Sequence, residues 1–493
     1  METAKVHVVR KHVPVQLMLI LVVGSLLRFY GLGSESLWND ELSSWRRSTY
    51  EDFSTVISEG VRPDVHPPGY HAILYLVEKY IGDSESTLRF PSALSGTISL
   101  YVVFLLGLRL YSHEEGLMAS ALMAVLWCPI YYSQEVRPYS MLLLFTLLAT
   151  YFWLLVVSNL RRQTKASYYA IVAYVLSAIA CSYLHYFGLY LVGLQGLGAA
   201  ISCIRKRKAW LSVAAIYSAI SLAYSPWVPT MWEHLNRGPI WISPPAGIAR
   251  TSLACLRFFF NGSRAIVLFV LVMYSYLLLG HLYQVLSSSA YKNRRMTAFS
   301  PGLLLAAWLI VPFAGAYTRS RVSTPVLSSR NLIISLPAAY LLLSRSITQL
   351  PLRSRHRAVA TCGLIGLLLV HLLFRRDYYS TAHKEQFREA VGFIVERDHL
   401  YKDSLIIGYA WHQDYFNYYF ERRGSPRRVT VIAGHQKDIP KVGELITRQD
   451  LQYMWYIRGH RVPAVAFVDY LQENLTLIEH KELVGADVWL FQK

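Results

Sequence analysis

Charge is scarce in this sequence. Only 16% of its 493 residues are Asp, Glu, Lys or Arg, against roughly 25% in ordinary soluble domains. With 54% hydrophobic residues and a mean hydropathy of +0.29, the shortage argues against a soluble enzyme and excludes a disordered chain. Cysteine is scarce too. Cys128, Cys181, Cys203, Cys255 and Cys362 all lie in or beside apolar runs. None falls in a metal-ligand spacing, so they read as small hydrophobes rather than a disulfide framework. Carboxylates almost vanish from the middle of the chain, where only Glu114, Glu115, Glu135 and Glu233 occur between residues 86 and 375.

What is present is apolar length. Runs of about 20 mostly apolar residues recur, near 13–32, 88–110, 115–132, 138–158, 168–187, 188–204, 209–226, 262–286, 301–318, 331–345 and 358–375. About eleven transmembrane helices are expected. The net charge of +18 sits entirely before residue 376, because residues 376–493 hold 16 Lys/Arg and 16 Asp/Glu. A basic excess on an apolar chain reads as membrane flanks, with no nucleic acid as partner. Lys5, Arg10 and Lys11 precede the first run. Alternating spans put Arg161, Arg162 and Lys165, Arg205–Lys208, Lys292, Arg294 and Arg295, and Arg353, Arg355 and Arg357 on that same side. The N-terminus is therefore expected in the cytosol and the tail outside.

The expected architecture is an α-helical polytopic membrane domain over 1–375, followed by a small α/β domain over 376–493. In the tail, His383–Arg397, Gln413–Glu421 and Gly443–Ile457 read as helices. Ser404–Gly408, Val429–Ala433 and Ala464–Val468 read as strands, and Leu475–Phe491 as a hairpin.

On this topology the outer side gathers the polar motifs. A first external loop of about 33–87 carries Trp38-Asn-Asp-Glu41 and Asp64-Val-His-Pro-Pro68. A short outer turn carries Ser133-Gln-Glu-Val-Arg-Pro-Tyr139. His185-Tyr186 and Arg330 face the same side. Adjacent Asp40 and Glu41 can poise one carboxylate as a base, and they equally suit the first turn of a following helix. Two prolines after His66 fix the backbone that carries its imidazole. Arg137, just before a proline that starts a helix, suits bidentate phosphate binding, and Glu135 is its nearest acidic partner. Arg330 at a helix start is favoured if an anion sits nearby.

These motifs, with Arg89-Phe-Pro-Ser92 and Ser328-Ser-Arg-Asn-Leu332 between and after them, resemble those of GT-C glycosyltransferases of the dolichyl-phosphate-mannose protein mannosyltransferase type, over about residues 13–345. The resemblance implies a multi-pass protein of the plasma (inner) membrane. It implies a polyprenyl-phosphate-sugar donor, a lipid, glycan or protein acceptor, and transfer on the extracytoplasmic face. By the same match Asp40 would be the base, with Glu41 beside it. Arg137 would hold the donor phosphate, and His66, Asp64, Tyr139, Glu135, His185, Tyr186 and Arg330 would line the substrate site. The sequence departs from the family in two places. The loop at about 227–261 is too short for the β-trefoil insert of the protein mannosyltransferases. Val65-His66 stand where the lipid A aminoarabinose transferases carry Glu-Lys. No cofactor is certain, and room is left for a divalent metal. A flippase or a membrane scaffold is the competing expectation. Mid-span charges and internal repeats would mark a transporter, and the sequence shows neither.

Overall fold

A computed structural model describes residues 14–164, 167–237, 242–287, 300–401, 403–449 and 451–493. The basic residues Lys5, Arg10, Lys11, Lys165, Lys292, Arg294 and Arg295, which carried part of the orientation argument, lie outside them. Every expected apolar run falls on a helix. By length and hydropathy, seven helices among the described residues suffice to cross a membrane, or eight if the bent pair His113–Val125 and Trp127–Ser133 is one span. Val15–Phe29, Tyr168–Leu184 and Phe187–Cys203 are apolar but shorter. The 15 residues of the first rise only about 22 Å, against a hydrocarbon core of about 30 Å. The chain is thus a multi-pass membrane protein with seven or eight full-length spans among the described residues; the eleven expected are reached only if the three shorter helices also cross.

The chain divides into two compact units. One holds Val61–Tyr70 and Phe90–Arg376 together with the chain up to Tyr30; the other holds Gly31–Gly60, His71–Arg89 and Asp377–Lys493.

In the first unit, small residues bring helices into backbone contact. A Cβ on Gly107 would meet the Gly116 Cα at 2.5 Å, so Glu85–Leu110 and His113–Val125 pack with nothing between them there. Polar side chains in this unit mostly serve the backbone. Arg28 is fully buried, and its guanidinium donates to the carbonyls of Gly24 at 2.9 Å and Met123 at 2.8 Å. The Met123 carbonyl belongs to the last turn before the chain bends by 61°, where helix carbonyls lose their own partners. Gln134 closes the neighbouring helix end, donating to the carbonyls of Arg28 at 3.1 Å and Tyr30 at 2.9 Å.

The second unit contains a five-stranded sheet: β1 (Leu405–Tyr409), β2 (Val431–Ile432), β3 (Tyr453–Gly459), β4 (Thr476–Leu483) and β5 (Ala486–Gln492). The order is β2-β1-β3-β5-β4. β1 runs parallel to β2 and β3, and β5 antiparallel to β3 and β4. Gly485, at φ +63°, makes the β4–β5 turn in a conformation glycine adopts without strain. Side chains alternate across the sheet. Ile407, Tyr409, Met454 and Tyr456 pack with Val442, Ile446, Phe467 and Leu471. On the other face Phe393 meets Trp455 and Phe416 meets Phe387.

Two tail assignments change. Residues expected as one helix over Gly443–Ile457 form the helix Ile439–Ile446 and then β3. The aromatic, alternating run Tyr453-Met-Trp-Tyr-Ile457 suits a strand buried on both faces. Ala464–Val468, expected as a strand, starts the helix Val465–Asn474, because Phe467 and Leu471, four apart, fill the same core.

Candidate functional site

In the first unit the site is built on a loop pinned against a helix end. Gly69 follows Pro67-Pro68, and a Cβ there would meet the Tyr183 carbonyl oxygen at 2.7 Å. Only glycine lets the His66 loop lie this close to the end of Tyr168–Leu184. The His66 and His185 rings consequently sit 5.7 Å apart, edge to face.

A relay of hydrogen bonds fixes these groups. Asp64 Oδ2 lies 2.9 Å from His66 Nδ1, so Nδ1 carries the proton in the neutral ring. The lone pair of Nε2 then faces the Arg137 guanidinium at 3.3 Å. Ser92 donates to the Arg137 carbonyl at 3.3 Å and Ser140 to the Ser92 carbonyl at 2.7 Å, which holds the turn before the helix Tyr139–Arg162. Tyr139 lies beneath both cations, with its ring 5.9 Å from Arg137 and 6.0 Å from Arg330. The Phe187 N–H donates to His185 Nδ1 at 3.1 Å, leaving Nε2–H of the neutral ring as a donor. Tyr186 Oη and His234 Nδ1 are 2.7 Å apart, and His234 Nε2 lies 3.0 Å from the Arg62 carbonyl.

These residues border a cavity of about 350 Å³. Its wall includes His66, His185 and His234 with Arg319 and Arg330, the rest is largely aromatic and aliphatic, and among the described residues no carboxylate lines it. Arg137 stands behind His66 rather than on the wall. Glu135, two residues before Arg137, is buried and does not line the cavity. The chemistry of such a wall suits an anion with an apolar body. It does not fit a divalent cation. Among the described residues no group of three His, Cys, Asp or Glu side chains could hold a metal ion.

The other candidates fall in the second unit. Asp40 is in the first turn of the helix Asn39–Arg46 and is half-buried. Glu41 is fully buried. Its carboxylate accepts from Arg89 Nε at 2.9 Å and Nη2 at 2.7 Å and from Lys384 Nζ at 3.2 Å. Arg89 also donates to the carbonyls of Leu32, Glu35 and Ser36, each at 2.9 Å. Glu41 thereby ties Asn39–Arg46 to the tail through Lys384.

Glu385 makes a second tie. Its Oε2 accepts from the Asn39 N–H at 2.9 Å and its Oε1 lies 2.5 Å from His460 Nδ1. The Glu385 hydrogen bond pushes the His460 imidazole above its ordinary range, and the Asp40 charge pushes the same way. The tie's contribution to stability is full below the ordinary histidine pKa and is lost as pH rises through the raised one. The melting-temperature gap between wild type and Glu385→Gln should therefore narrow as pH rises from 6 to 9. A gap independent of pH would show that the tie does not depend on imidazolium.

Sequence reasoning missed Arg319, His234, Lys384, Glu385 and His460. Arg319 was visible as a cation at a span end. The tail residues carry no local motif.

Residues 65–229, about a third of the chain, match the sequence model of the dolichyl-phosphate-mannose-protein mannosyltransferase family. That segment contains His66, Arg137, Tyr139 and His185. No curated protein sequence is a significant match. Among solved structures, apo ArnT from Cupriavidus metallidurans is similar at TM-score 0.59, with 13% identity over 96% of this chain and 97% of that one. The same protein bound to undecaprenyl phosphate gives 0.56, with the same identity and coverage. The archaeal oligosaccharyltransferase AglB from Archaeoglobus fulgidus, in complex with an inhibitory peptide and a dolichol-phosphate, gives 0.50 at 12% identity, over 96% of this chain and 73% of that one. The class these define is that of the GT-C glycosyltransferases. The chain resembles that class both in the matched segment and in fold.

Proposed function

We propose that the protein is a membrane glycosyltransferase that moves a sugar from a polyprenyl-phosphate donor to an acceptor hydroxyl on the extracytoplasmic face. The observation that carries this reading is the cavity wall of two arginines and three histidines, with no carboxylate among the described residues that line it, set among apolar helices. A lipid-linked sugar phosphate has the matching chemistry. Its phosphate would meet Arg330 and Arg319, with Arg137 acting through His66, while the isoprenoid stays in the bilayer. ArnT holding undecaprenyl phosphate and AglB holding a dolichol-phosphate lend support. Eleven crossings, the three shorter helices included, would put the second unit outside.

The reaction would be a direct displacement with inversion. The acceptor oxygen attacks the anomeric carbon while the bond from that carbon to the phosphate oxygen breaks. The acceptor proton passes to Asp40, and polyprenyl phosphate leaves as an anion whose charge the guanidiniums stabilise. A phosphate leaving group needs no strong general acid. Glu41 holds the helix that carries Asp40.

The test incubates purified protein with radiolabelled polyprenyl-phosphate sugars and membrane extract as acceptor source. One donor should be consumed, with polyprenyl phosphate released. Consumption of nucleotide sugars alone, or passage of intact donor across vesicles without cleavage, would overturn the reading. Arg330→Ala should raise the KM for that donor about 10- to 100-fold, from about 1.5–3 kcal/mol per charge-assisted hydrogen bond. An unchanged KM would make Arg330 structural.

A further inference from the structure

We propose that the carboxyl ends of β1 and β3 form a binding site for an anionic sugar, one bearing a carboxylate or a phosphate, and that this sugar is part of the acceptor; the acceptor role rests on the function proposed above.

The first argument is topological. The chain leaves β1 for β2 on one side, then crosses to β3 on the other, giving the order β2-β1-β3 with all three parallel. The connecting helices lie on opposite faces. Asp414–Arg422 packs beside Phe387–Arg397, with Phe416 against Phe387, whereas Ile439–Ile446 supplies Val442 and Ile446 to the other core. The winding therefore reverses between β1 and β3. In open α/β sheets a crevice opens at that point, outside the carboxyl ends of the strands, and ligands bind there.

The second argument is the side chains found there. Tyr409 ends β1 and Trp411 follows it; His460 and Arg461 follow β3; His435 follows β2. The Arg461 guanidinium lies 4.9 Å from the Tyr409 ring and 4.5 Å from that of Trp411. One of its nitrogens lies 3.1 Å from His435 Nε2. Two rings and an imidazole thus fix the guanidinium, and among the described residues it has no ion-pair partner. Three neighbouring acids are engaged elsewhere. Asp438 accepts from the Gly434 and His435 N–H groups at 3.0 and 2.8 Å. Asp414 pairs with Arg46 at 3.1 Å, and Glu385 holds His460. A fixed guanidinium without an acid is a ready partner for carboxylate or phosphate. Beside it, the Trp411 ring is half exposed, an apolar face on which the C–H side of a pyranose can rest.

The third argument joins this point to the candidate base. His460, next to Arg461 in the chain, reaches Glu385, and Glu385 holds the Asn39 N–H. A sugar gripped by Arg461 is therefore anchored to the framework that carries Asp40.

The test is saturation-transfer NMR on the full-length protein in nanodiscs. The probes are a glucuronate-containing tetrasaccharide, glucose 1-phosphate, a neutral glucose tetrasaccharide and inorganic phosphate. One or both charged sugars should bind at least about tenfold more tightly than the neutral one, and which of them binds identifies the anion. Trp411→Ala and Arg461→Gln should each weaken that binding at least about tenfold. Arg461→Lys, which keeps the charge and loses the fork, should weaken it too, with an unchanged melting temperature showing that the unit is folded. Equal binding of charged and neutral sugars, binding of inorganic phosphate alone, or unaltered binding in all three variants would overturn the site. Charged-sugar binding that these variants abolish, in a protein that consumes no polyprenyl-phosphate sugar, would confirm the site and remove the glycosyltransferase reading instead.

Discussion

Asp40→Asn is expected to slow donor consumption about 10²- to 10⁴-fold, the usual loss when a positioned base is removed, while the protein stays folded. Asparagine matches the shape of aspartate and keeps its place in the first turn of Asn39–Arg46. Two of its contacts survive the change: Ser44 donates to its backbone carbonyl at 3.0 Å, and Asn39 Nδ2 to its side-chain Oδ1 at 3.3 Å. What asparagine cannot do is take a proton from a hydroxyl. The measurement is single-turnover release of polyprenyl phosphate, with the melting temperature followed in parallel. Near-normal release would remove Asp40 as base. With carboxylates so rare between residues 86 and 375, buried Glu135 and exposed Glu233 would then be next to test.

The apolar runs and the polar motifs were both legible in the sequence, for different reasons. A membrane forces every spanning backbone group into a helix, so hydrophobic length alone located the helices. Their number was less legible, because a 15-residue apolar helix and a full span look alike in composition. The motifs were legible because they are dense where polar residues are otherwise rare. Several of their residues turn out to serve the chain itself. Ser92 and Gln134 hold backbone carbonyls, and Glu41 is enclosed by two cations. A single sequence does not separate a carboxylate that meets substrate from one that meets lysine when that lysine lies 343 residues away. The same distance hid Glu385 and His460. In the tail, Ala464–Val468 is short and apolar, and such a run fits a strand or a buried helix turn until its core partners are known.

Glu41 gives the second large effect, and it is the opposite of the first: stability is lost before chemistry is reached. Its carboxylate lies between Arg89 and Lys384, and all three side chains are at most 2% exposed. Glu41→Gln leaves two buried cations facing a neutral amide. Removing one member of such a buried group costs about 3–5 kcal/mol, a large share of the stability a domain has to spare. The variant should melt well below wild type and be cut by protease within Gly31–Gly60, whatever donor is present. Adding Lys384→Met removes one of the stranded charges, and the double variant should recover about 1–3 kcal/mol, the coupling expected of groups in one network. If Glu41→Gln melts like wild type yet turns over slowly, the carboxylate acts on substrate and the assignments of Asp40 and Glu41 exchange. If it melts early and Asp40→Asn does not, the adjacent acids divide the work: Glu41 fixes the helix, and Asp40 is left at its first turn to take the proton.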